Sequence, residues 1–359
     1  MFYNRRLTFA TLIILIFMVG ACTNIAGMLM AGAPAGEFIM ATVDPAATPT
    51  ATPFGPIPAT ITPPPPPPAT ATPLATPTSV DPWGSFPAPV EPSAIEIRRP
   101  LTPLQVPEGT VNIMILGSDQ RPYEYGHRTD TMMLLSLDPK DGTATLLSFP
   151  RDLYVFIPGW RMDRINTADP NGGPERVAQT LLYNFGLEVH HWVRVNFWGF
   201  TQAIDTLGGI DVQVGKGLND ECGGIHWKYR PGTYHMDGFT SLCYVRMRHV
   251  TGDFDRMRRQ QEVVLAIFNR VLSLDGLSRT PELYSQFRSL VETDLEINEI
   301  LTLLPLAVKL ASDPSQIRRL EIGPDMGSLW RVPYSGASVI LPDWDPIEKM
   351  LHEAFEPST

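Results

Sequence analysis

Short apolar runs recur along the chain from residue 109 onward, and turn residues separate them. Runs of this length and composition are typical of strands that are buried on both faces of a sheet. Asp141 and Gly142 stand between two of the runs and predict a tight hairpin. The predicted strands cover residues 111–116, 131–137, 143–149, 189–196, 210–214 and 316–322, and residues 153–157 are also expected to be extended.

Elsewhere, apolar residues recur three or four positions apart, which is the spacing of a helix with one buried face. Strands that alternate with helices favour an α/β fold. We therefore predict one α-β-α sandwich domain with a central mixed β-sheet over residues 109–359. The predicted helices cover residues 174–185, 197–207, 281–291, 297–311 and 345–355, together with a helix that starts at Phe254.

The stretch from residue 240 to 270 concentrates arginine in an otherwise acidic chain. Its first half alternates like a strand, so Tyr244, Arg246 and Arg248 are predicted to share one strand face. Its second half is predicted to be a helix with one buried face, formed by Met257, Val264, Ile267, Phe268 and Val271.

Arg256 and Gln260 lie one turn apart near the start of that predicted helix. A helix N-terminus carries unpaired N–H groups and partial positive charge, and both favour an anion. The stretch therefore predicts an anion-binding site. A solvated basic helix face is the alternative interpretation.

Composition separates a foldable region from a spacer within the 359 residues. The chain contains 36 prolines, and they are concentrated near its N-terminus together with threonine and alanine. A segment of this composition does not bury a core, so residues 35–108 are predicted to be a disordered spacer. The formal net charge of -10 argues against nucleic acid as a partner.

The first 22 residues have the pattern of an export signal. Arg5 and Arg6 precede an apolar segment at residues 8–19, and small residues lead to Cys22 as in a lipobox. Cys22 is therefore predicted to be lipidated. The alternative is an uncleaved membrane anchor that extends to about residue 34. Both alternatives place the rest of the chain outside the cytoplasmic membrane and tether it to that membrane.

Charged residues gather around the first predicted strands. Asp119 and Asp130 lie at strand ends, with Arg121, Arg128 and Arg151 beside them in the sequence. Open α/β sheets bind ligands where strands end. Two carboxylates suit a hard divalent cation, and arginines suit phosphate. Ordinary surface salt bridges are the alternative. No Walker, G-x-G-x-x-G or G-x-S-x-G motif occurs, so nucleotide binding and a serine nucleophile have no support.

Residues 112–264 contain, in this order, the segments NIMILGSDQR, HRTDTMMLLSLDP, LLSFPRDLYVFIPG, DRINTA, FWGFTQAIDTLGGIDVQV, YVRMRH and GDFDRMRRQQEVV. These segments and their order resemble the LytR-CpsA-Psr family. The resemblance implies an extracytoplasmic phosphotransferase that moves a glycopolymer from a polyprenyl-pyrophosphate carrier to peptidoglycan through a phosphodiester bond. It also implies an apolar tunnel for the lipid.

The resemblance also implies roles for single residues. Asp119 and Asp130 match aspartates that are associated with Mg²⁺ or another divalent ion, and Asp253 matches a proposed base. Arg121 occupies a commonly basic position. The pyrophosphate-binding positions correspond to Arg128, Arg151, Arg246, Arg248, Arg256 and Gln260, of which Arg128 and Arg151 are also expected to act in catalysis.

Two other activities stay open at this stage. The same residues would serve a pyrophosphatase with water as the acceptor, or a non-catalytic binder of lipid pyrophosphate that regulates the cell envelope. Arg164 departs from the family pattern, because a lysine is usual there. An arginine keeps the charge but presents a planar set of donors instead of a compact ammonium group.

The two cysteines other than Cys22 are Cys222 and Cys243. The expected compartment is oxidising, and lipidation of Cys22 leaves an even pair, so Cys222 and Cys243 are predicted to form a disulfide. Two separate buried thiols are the alternative.

Overall fold

A computed structural model describes residues 83–120, 128–273 and 289–357. The predicted export signal with Cys22, most of the predicted spacer, and Arg121 lie outside these residues. In the described part of the chain, no helix is both long enough and apolar enough to cross a membrane.

The described residues form strands and helices in close alternation. The strands are β1 (Val111–Ser118), β2 (Thr129–Asp138), β3 (Thr143–Ser148), β4 (Tyr154–Phe156), β5 (Met162–Arg164), β6 (His191–Asn196), β7 (Ile210–Val214), β8 (Leu218–Cys222), β9 (Ile225–Tyr229), β10 (Gly232–Met236), β11 (Val291–Thr293), β12 (Ile317–Glu321), β13 (Gly327–Arg331) and β14 (Ser338–Pro342). The helices are α1 (Gly173–Phe185), α2 (Phe197–Thr206), α3 (Gly238–Arg246), α4 (Gly252–Ser273), α5 (Ile297–Ser312) and α6 (Trp344–Phe355).

The central sheet has six strands in the order β11-β6-β1-β2-β3-β12. It is mixed: β1 pairs antiparallel with β2 and parallel with β6, while β12 pairs parallel with β3. The hairpin predicted at Asp141-Gly142 joins β2 to β3. Side chains alternate between the two faces of a strand, and both faces of β2 are buried for most of its length.

Helices cover both faces of this sheet. Met132 and Leu134 of β2 pack in one cluster with α1 and α6. Met133 and Leu135 point the other way, toward Val264 of α4 and toward α5. The predicted α-β-α sandwich with a central mixed sheet is therefore confirmed. A further cluster joins α2, α3, α4, β7 and β10 beside the sheet.

The prediction of a strand around Tyr244 is wrong. Residues 238–246 form α3, which begins where the Asp237 carboxylate accepts a hydrogen bond of 2.8 Å from the Thr240 N–H. Ser241 and Tyr244 are three positions apart and both are buried, as on a helix face. Arg246 is the last residue of α3 and Arg248 lies in the following loop, so the alternating residues belong to a helix end and a loop and not to a strand.

The predicted spacer ends earlier than expected, because its last part packs on the domain. The Trp83 ring lies 5.5 Å from the Phe156 ring, and Phe86 lies 5.1 Å from Tyr183. The Leu104 N–H donates to the Gly186 carbonyl at 2.9 Å. Aromatic and aliphatic anchors between the prolines bury enough apolar surface to hold residues 83–107 in place.

The helix predicted at residues 281–291 is also wrong where it can be examined. Val291–Thr293 form β11, which pairs antiparallel with β6 at the edge of the central sheet. Residues 281–288 lie outside the described part of the chain. The β8–β9 hairpin and the β13–β14 hairpin are additional elements that the apolar pattern did not indicate.

Candidate active site

A β-bulge between β1 and β2 determines the position of Asp130. Gly117 pairs with Thr131, whereas Ser118 pairs with Thr129, so Asp130 is the extra residue. A bulged residue is released from regular pairing, and its side chain takes a new direction. The strands approach closely here, because a Cβ on Gly117 would lie 2.7 Å from the Thr131 Cβ. Glycine at residue 117 therefore permits the approach.

Arg151 lies opposite this bulge, just after the end of β3. Its Nη1 donates to Asp130 Oδ2 at 2.8 Å, and Asn166 Nδ2 donates to Asp130 Oδ1 at 3.3 Å. Arg151 Nε also lies 3.4 Å from Asp152 and 3.5 Å from Asp253. Arg151 thus stands between three carboxylates, one each from β2, the β3–β4 connection and α4.

The start of α4 contributes a second arginine, Arg256, which contacts Asp253 and the backbone of Asp130. Arg256 is only 4% exposed. Its Nη2 lies 2.9 Å from Asp253 Oδ1 and donates to the Asp130 backbone carbonyl at 3.2 Å. Arg256 therefore links the start of α4 to the bulge. Gln260, one turn later, is 6% exposed and faces the same side.

Burial shifts the protonation equilibria of this cluster. Burial raises the pKa of Asp253 above its ordinary value, although Arg256 and Arg151 oppose the shift. Burial lowers the pKa of Arg256. Burial would also lower the pKa of Arg151, but the neighbouring carboxylates of Asp130 and Asp253 raise it overall. Asp253 is consequently a stronger proton acceptor than an aspartate on the surface.

The end of α3 and its following loop contribute the two remaining arginines. The Arg246 guanidinium lies 4.4 Å from the centre of the Phe197 ring, in a cation–π contact. Arg248 Nη1 lies 3.9 Å from Asp253 Oδ1, and its side chain is 45% exposed. Helix and loop, not a shared strand, bring these two arginines to the site.

Two hydrogen bonds join Asp119, which follows β1, to Arg128, which precedes β2. The Asp119 carboxylate accepts a hydrogen bond from the Arg128 N–H, and the Asp119 N–H donates to the Arg128 carbonyl at 3.0 Å. Asp119 and Asp130 line the same cavity. Arg128 is exposed and is not among the residues that line this cavity.

Asp119 and Asp130 fit a divalent ion that takes only two ligands from the protein. No group of three or more His, Cys, Asp or Glu suitable for a metal ion occurs within residues 83–120, 128–273 and 289–357. Mg²⁺ is usually bound through one or two carboxylates, with substrate phosphates and water as the other ligands. Asp119 and Asp130 supply that number of carboxylates on one cavity wall.

The cavity itself has a volume of about 500 Å³ and changes character along its length. Three parts of the wall change from apolar to charged or polar side chains in the same direction. They are Ile115 of β1 to Asp119 just after it, Met133 to Asp130 on β2, and Ile267 through Gln260 to Arg256 on α4. Phe200, Leu242 and Val245 complete the apolar wall. The cavity is therefore shaped for a molecule with one apolar end and one anionic end.

A second, smaller cavity of about 80 Å³ lies between the sheet and helices α4 and α5. Val264 lines both cavities. The walls of the second cavity are aliphatic or aromatic throughout, and they include Leu135 and Leu306. The two cavities share this wall residue, and a continuous tunnel for a lipid stays a prediction.

A disulfide joins Cys222 to Cys243, with their Cα atoms 5.5 Å apart. Cys222 ends β8 and lines the cavity, whereas Cys243 lies on α3 one turn before Arg246. The bond therefore ties the β8–β9 hairpin to the helix that carries Arg246.

Arg164, the residue that departs from the family pattern, lies at the outer border of the site. Its Nε is 3.2 Å from Asp152, and its Nη2 donates to the Ser338 carbonyl of β14 at 2.9 Å. Sequence reasoning missed Asn166 and Asp152 as members of the site. Both belong to segments that match the family, DRINTA and LLSFPRDLYVFIPG, which is the signal that could have found them.

The LytR_cpsA_psr family model matches residues 92–340. The chain belongs to the LytR_cpsA_psr family. Its match to the polyisoprenyl-teichoic acid–peptidoglycan teichoic acid transferase TagU of Oceanobacillus iheyensis is 34% identical and covers 65% of this chain and 74% of TagU. The TagU of Bacillus mycoides is 32% identical, over 52% of this chain and 60% of that protein.

The fold of this chain is also similar to that of solved structures. The crystal structure of B. subtilis TagV superposes with a TM-score of 0.58 at 28% identity, and covers 69% of this chain and 98% of TagV. A structure of TagT bound to LIIa-WTA has a TM-score of 0.54 at 23% identity, over 68% of this chain and 89% of TagT. At that identity the second likeness concerns the fold alone.

Proposed function

We propose that this LytR_cpsA_psr protein transfers a glycopolymer from a polyprenyl-pyrophosphate carrier to peptidoglycan and leaves a phosphodiester bond. The observation that carries the proposal is the cavity whose walls change from apolar to charged along β1, β2 and α4. A polyprenyl pyrophosphate has the matching polarity. The relatives named as teichoic acid transferases support the same activity.

The bonds change at one phosphorus atom. A sugar hydroxyl of peptidoglycan attacks the phosphorus next to the polymer, an O–P bond forms, the P–O–P bridge breaks, and polyprenyl phosphate leaves. The Asp253 carboxylate accepts the hydroxyl proton, because burial has raised its pKa and it lies next to Arg248 and Arg256, which line the polar end of the cavity.

The arginines stabilise the charge that shifts onto the leaving phosphate. Arg256 is buried and keeps its guanidinium in place, so little reorganisation is needed during the reaction. Arg246 and Arg248 bind the outer side of the pyrophosphate, where both are exposed. Arg151 orients Asp130 and Asp253. Planar guanidinium groups suit the paired oxygens of a pyrophosphate.

Asp119 and Asp130 would hold a divalent ion such as Mg²⁺ in this proposal. The ion would neutralise phosphate charge and help to orient the pyrophosphate. The protein is further proposed to be exported and tethered to the membrane, either by lipidation at Cys22 or by an uncleaved N-terminal anchor. Either tether would keep the cavity close to the lipid substrate.

The test is release of polyprenyl monophosphate from a lipid-linked polymer by the purified protein, with and without added peptidoglycan. A transferase releases it together with a covalent polymer–peptidoglycan conjugate, and excess chelator suppresses both. Equal release without peptidoglycan would identify a pyrophosphatase. No release under either condition would favour a non-catalytic binder.

A further inference from the structure

Two buried polar side chains lie behind the site, in the segment that follows β5. Asn166 is 3% exposed and Asp169 is 2% exposed. Because both are shielded from solvent, neither side chain is available to touch a substrate in the cavity. Their contacts are with the residues that form the β1–β2 bulge and its neighbour Arg151.

Asn166 closes a triangle of hydrogen bonds around the Asp130 carboxylate. Its backbone N–H donates to the Arg151 carbonyl at 3.3 Å, and its Nδ2 donates to Asp130 Oδ1 at 3.3 Å. Arg151 Nη1 completes the triangle with its bond of 2.8 Å to Asp130 Oδ2. Each carboxylate oxygen of Asp130 is therefore held by a different donor.

Asp169 holds the residue before Asp130. The Thr129 Oγ1–H donates to Asp169 Oδ2 at 2.6 Å, and Arg194 Nη1 donates to Asp169 Oδ1 at 2.9 Å. Arg194 lies on β6, two strands away from β2 in the sheet. Thr129 is thus tied to β6 through Asp169 and its charge-assisted bond with Arg194.

The contacts of Asn166 and Asp169 orient Asp130, which regular strand pairing does not do at a bulge. Regular strand pairing does not orient the extra residue of a bulge, so the direction of Asp130 needs another constraint. We propose that Asn166 and Asp169 are positioning residues that hold Asp130 in the direction needed to bind a divalent ion. This inference rests on the proposed function, in which Asp130 is a ligand of that ion.

The test compares Thr129→Val, which keeps the shape but lacks the hydroxyl, with Thr129→Ser, which keeps the hydroxyl. Asn166→Ala removes the other constraint. Mn²⁺ alone serves as the probe, and its binding to the full chain is measured by electron paramagnetic resonance. Loss of a residue that orients a metal ligand typically weakens metal binding by about 10–100-fold. We expect a loss of about ten-fold in Thr129→Val and Asn166→Ala, and near-parental binding in Thr129→Ser.

Steady-state kinetics provides a second readout. We expect kcat to fall in Thr129→Val and Asn166→Ala while KM for the lipid-linked substrate changes little, because the arginines that bind pyrophosphate are untouched. Melting temperatures identify any variant that is merely unfolded at the assay temperature. A general loss of packing would move Thr129→Ser as much as Thr129→Val, and that result would overturn the inference.

Asp130→Asn separates failure of this inference from failure of the proposed function. If Asp130→Asn loses Mn²⁺ binding while Thr129→Val and Asn166→Ala bind Mn²⁺ and turn over like the parent, the positioning role is wrong and the proposed function stands. If Asp130→Asn itself binds Mn²⁺ normally, both the metal role of Asp130 and the positioning role are wrong.

Discussion

Arg256 and Arg248 both approach Asp253, yet they differ sharply in environment. The Arg256 side chain is 5% exposed and the Arg248 side chain is 45% exposed. Hydrogen bonds to charged groups contribute about 1.5–3 kcal/mol, and solvent screens such interactions at the surface. The two arginines therefore offer a matched pair for measuring how burial affects pyrophosphate binding.

We expect Arg256→Lys to weaken binding of polyprenyl pyrophosphate by about 1.5–3 kcal/mol, because lysine lacks the planar donors. Arg248→Lys should cause a smaller loss, since water already surrounds that side chain. Isothermal titration in detergent measures both affinities. Equal losses in the two variants would show that burial of Arg256 does not matter for binding.

Asp253 leads to a prediction about pH. Because burial raises its pKa, the base form disappears on acidification at a higher pH than for an ordinary aspartate, whose pKa is about 3.9. The acid limb of the kcat/KM profile should therefore lie above that value. Asp253→Asn should have low activity and lack this limb. Retention of the same limb in Asp253→Asn would assign the titration to another group.

Some of the site could be predicted from single residues, and some could not. Asp119 and Asp130 lie at strand ends, so local pattern was sufficient to place them at one rim of the sheet. The bond between Asn166 and Asp130 joins residues 36 positions apart and depends on how the loop after β5 folds back. Apolar periodicity contains no information about such a contact.

At the scale of elements, α3 shows how a short helix can be mistaken for a strand. Residues 240–249 read TSLCYVRMRH, and the alternating Tyr244, Arg246 and Arg248 suggest a period of two. The helix is determined instead by the Asp237 cap and by tertiary packing of Tyr244, whose hydroxyl donates to Glu262 of α4 at 2.6 Å. Arg246 and Arg248 nevertheless both line the cavity, and the family motif predicts them as site residues independently of secondary structure.

The disulfide between β8 and α3 leads to a prediction at this scale. A double change of Cys222→Ser and Cys243→Ser should destabilise the folded state by about 2–4 kcal/mol, since the unfolded chain is no longer cross-linked. Urea unfolding measures that loss. A thiol assay of the unreduced parent, truncated before residue 23 to exclude Cys22, should detect no free thiol. Two free thiols in that protein would contradict the bond.

At the scale of the whole molecule, residues 83–107 are part of the folded domain although their composition is that of a spacer. Proline content alone did not distinguish the two, because a few apolar anchors determine whether a proline-rich segment packs. Leu104 is 7% exposed and packs in the core cluster with α1 and α6, whereas Val90 is 69% exposed.

Leu104→Ala should therefore destabilise the domain by about 2–5 kcal/mol, which is the usual range for a buried leucine. Val90→Ala is the matched control in the same segment, and surface changes of this kind usually stay within about 0.5 kcal/mol. Both values follow from urea denaturation. A Leu104→Ala protein as stable as the control would place this segment outside the cooperative unit.

The identity of the phosphoryl acceptor is the most direct test of the proposed function. The reaction is run in H₂¹⁸O with lipid-linked polymer and peptidoglycan, and the polymer products are analysed by mass spectrometry. We predict a phosphodiester-linked polymer–peptidoglycan conjugate without ¹⁸O in its phosphate, and no such product from Arg256→Ala. A free polymer phosphate that carries one ¹⁸O, without conjugate, would contradict transfer and identify water as the acceptor.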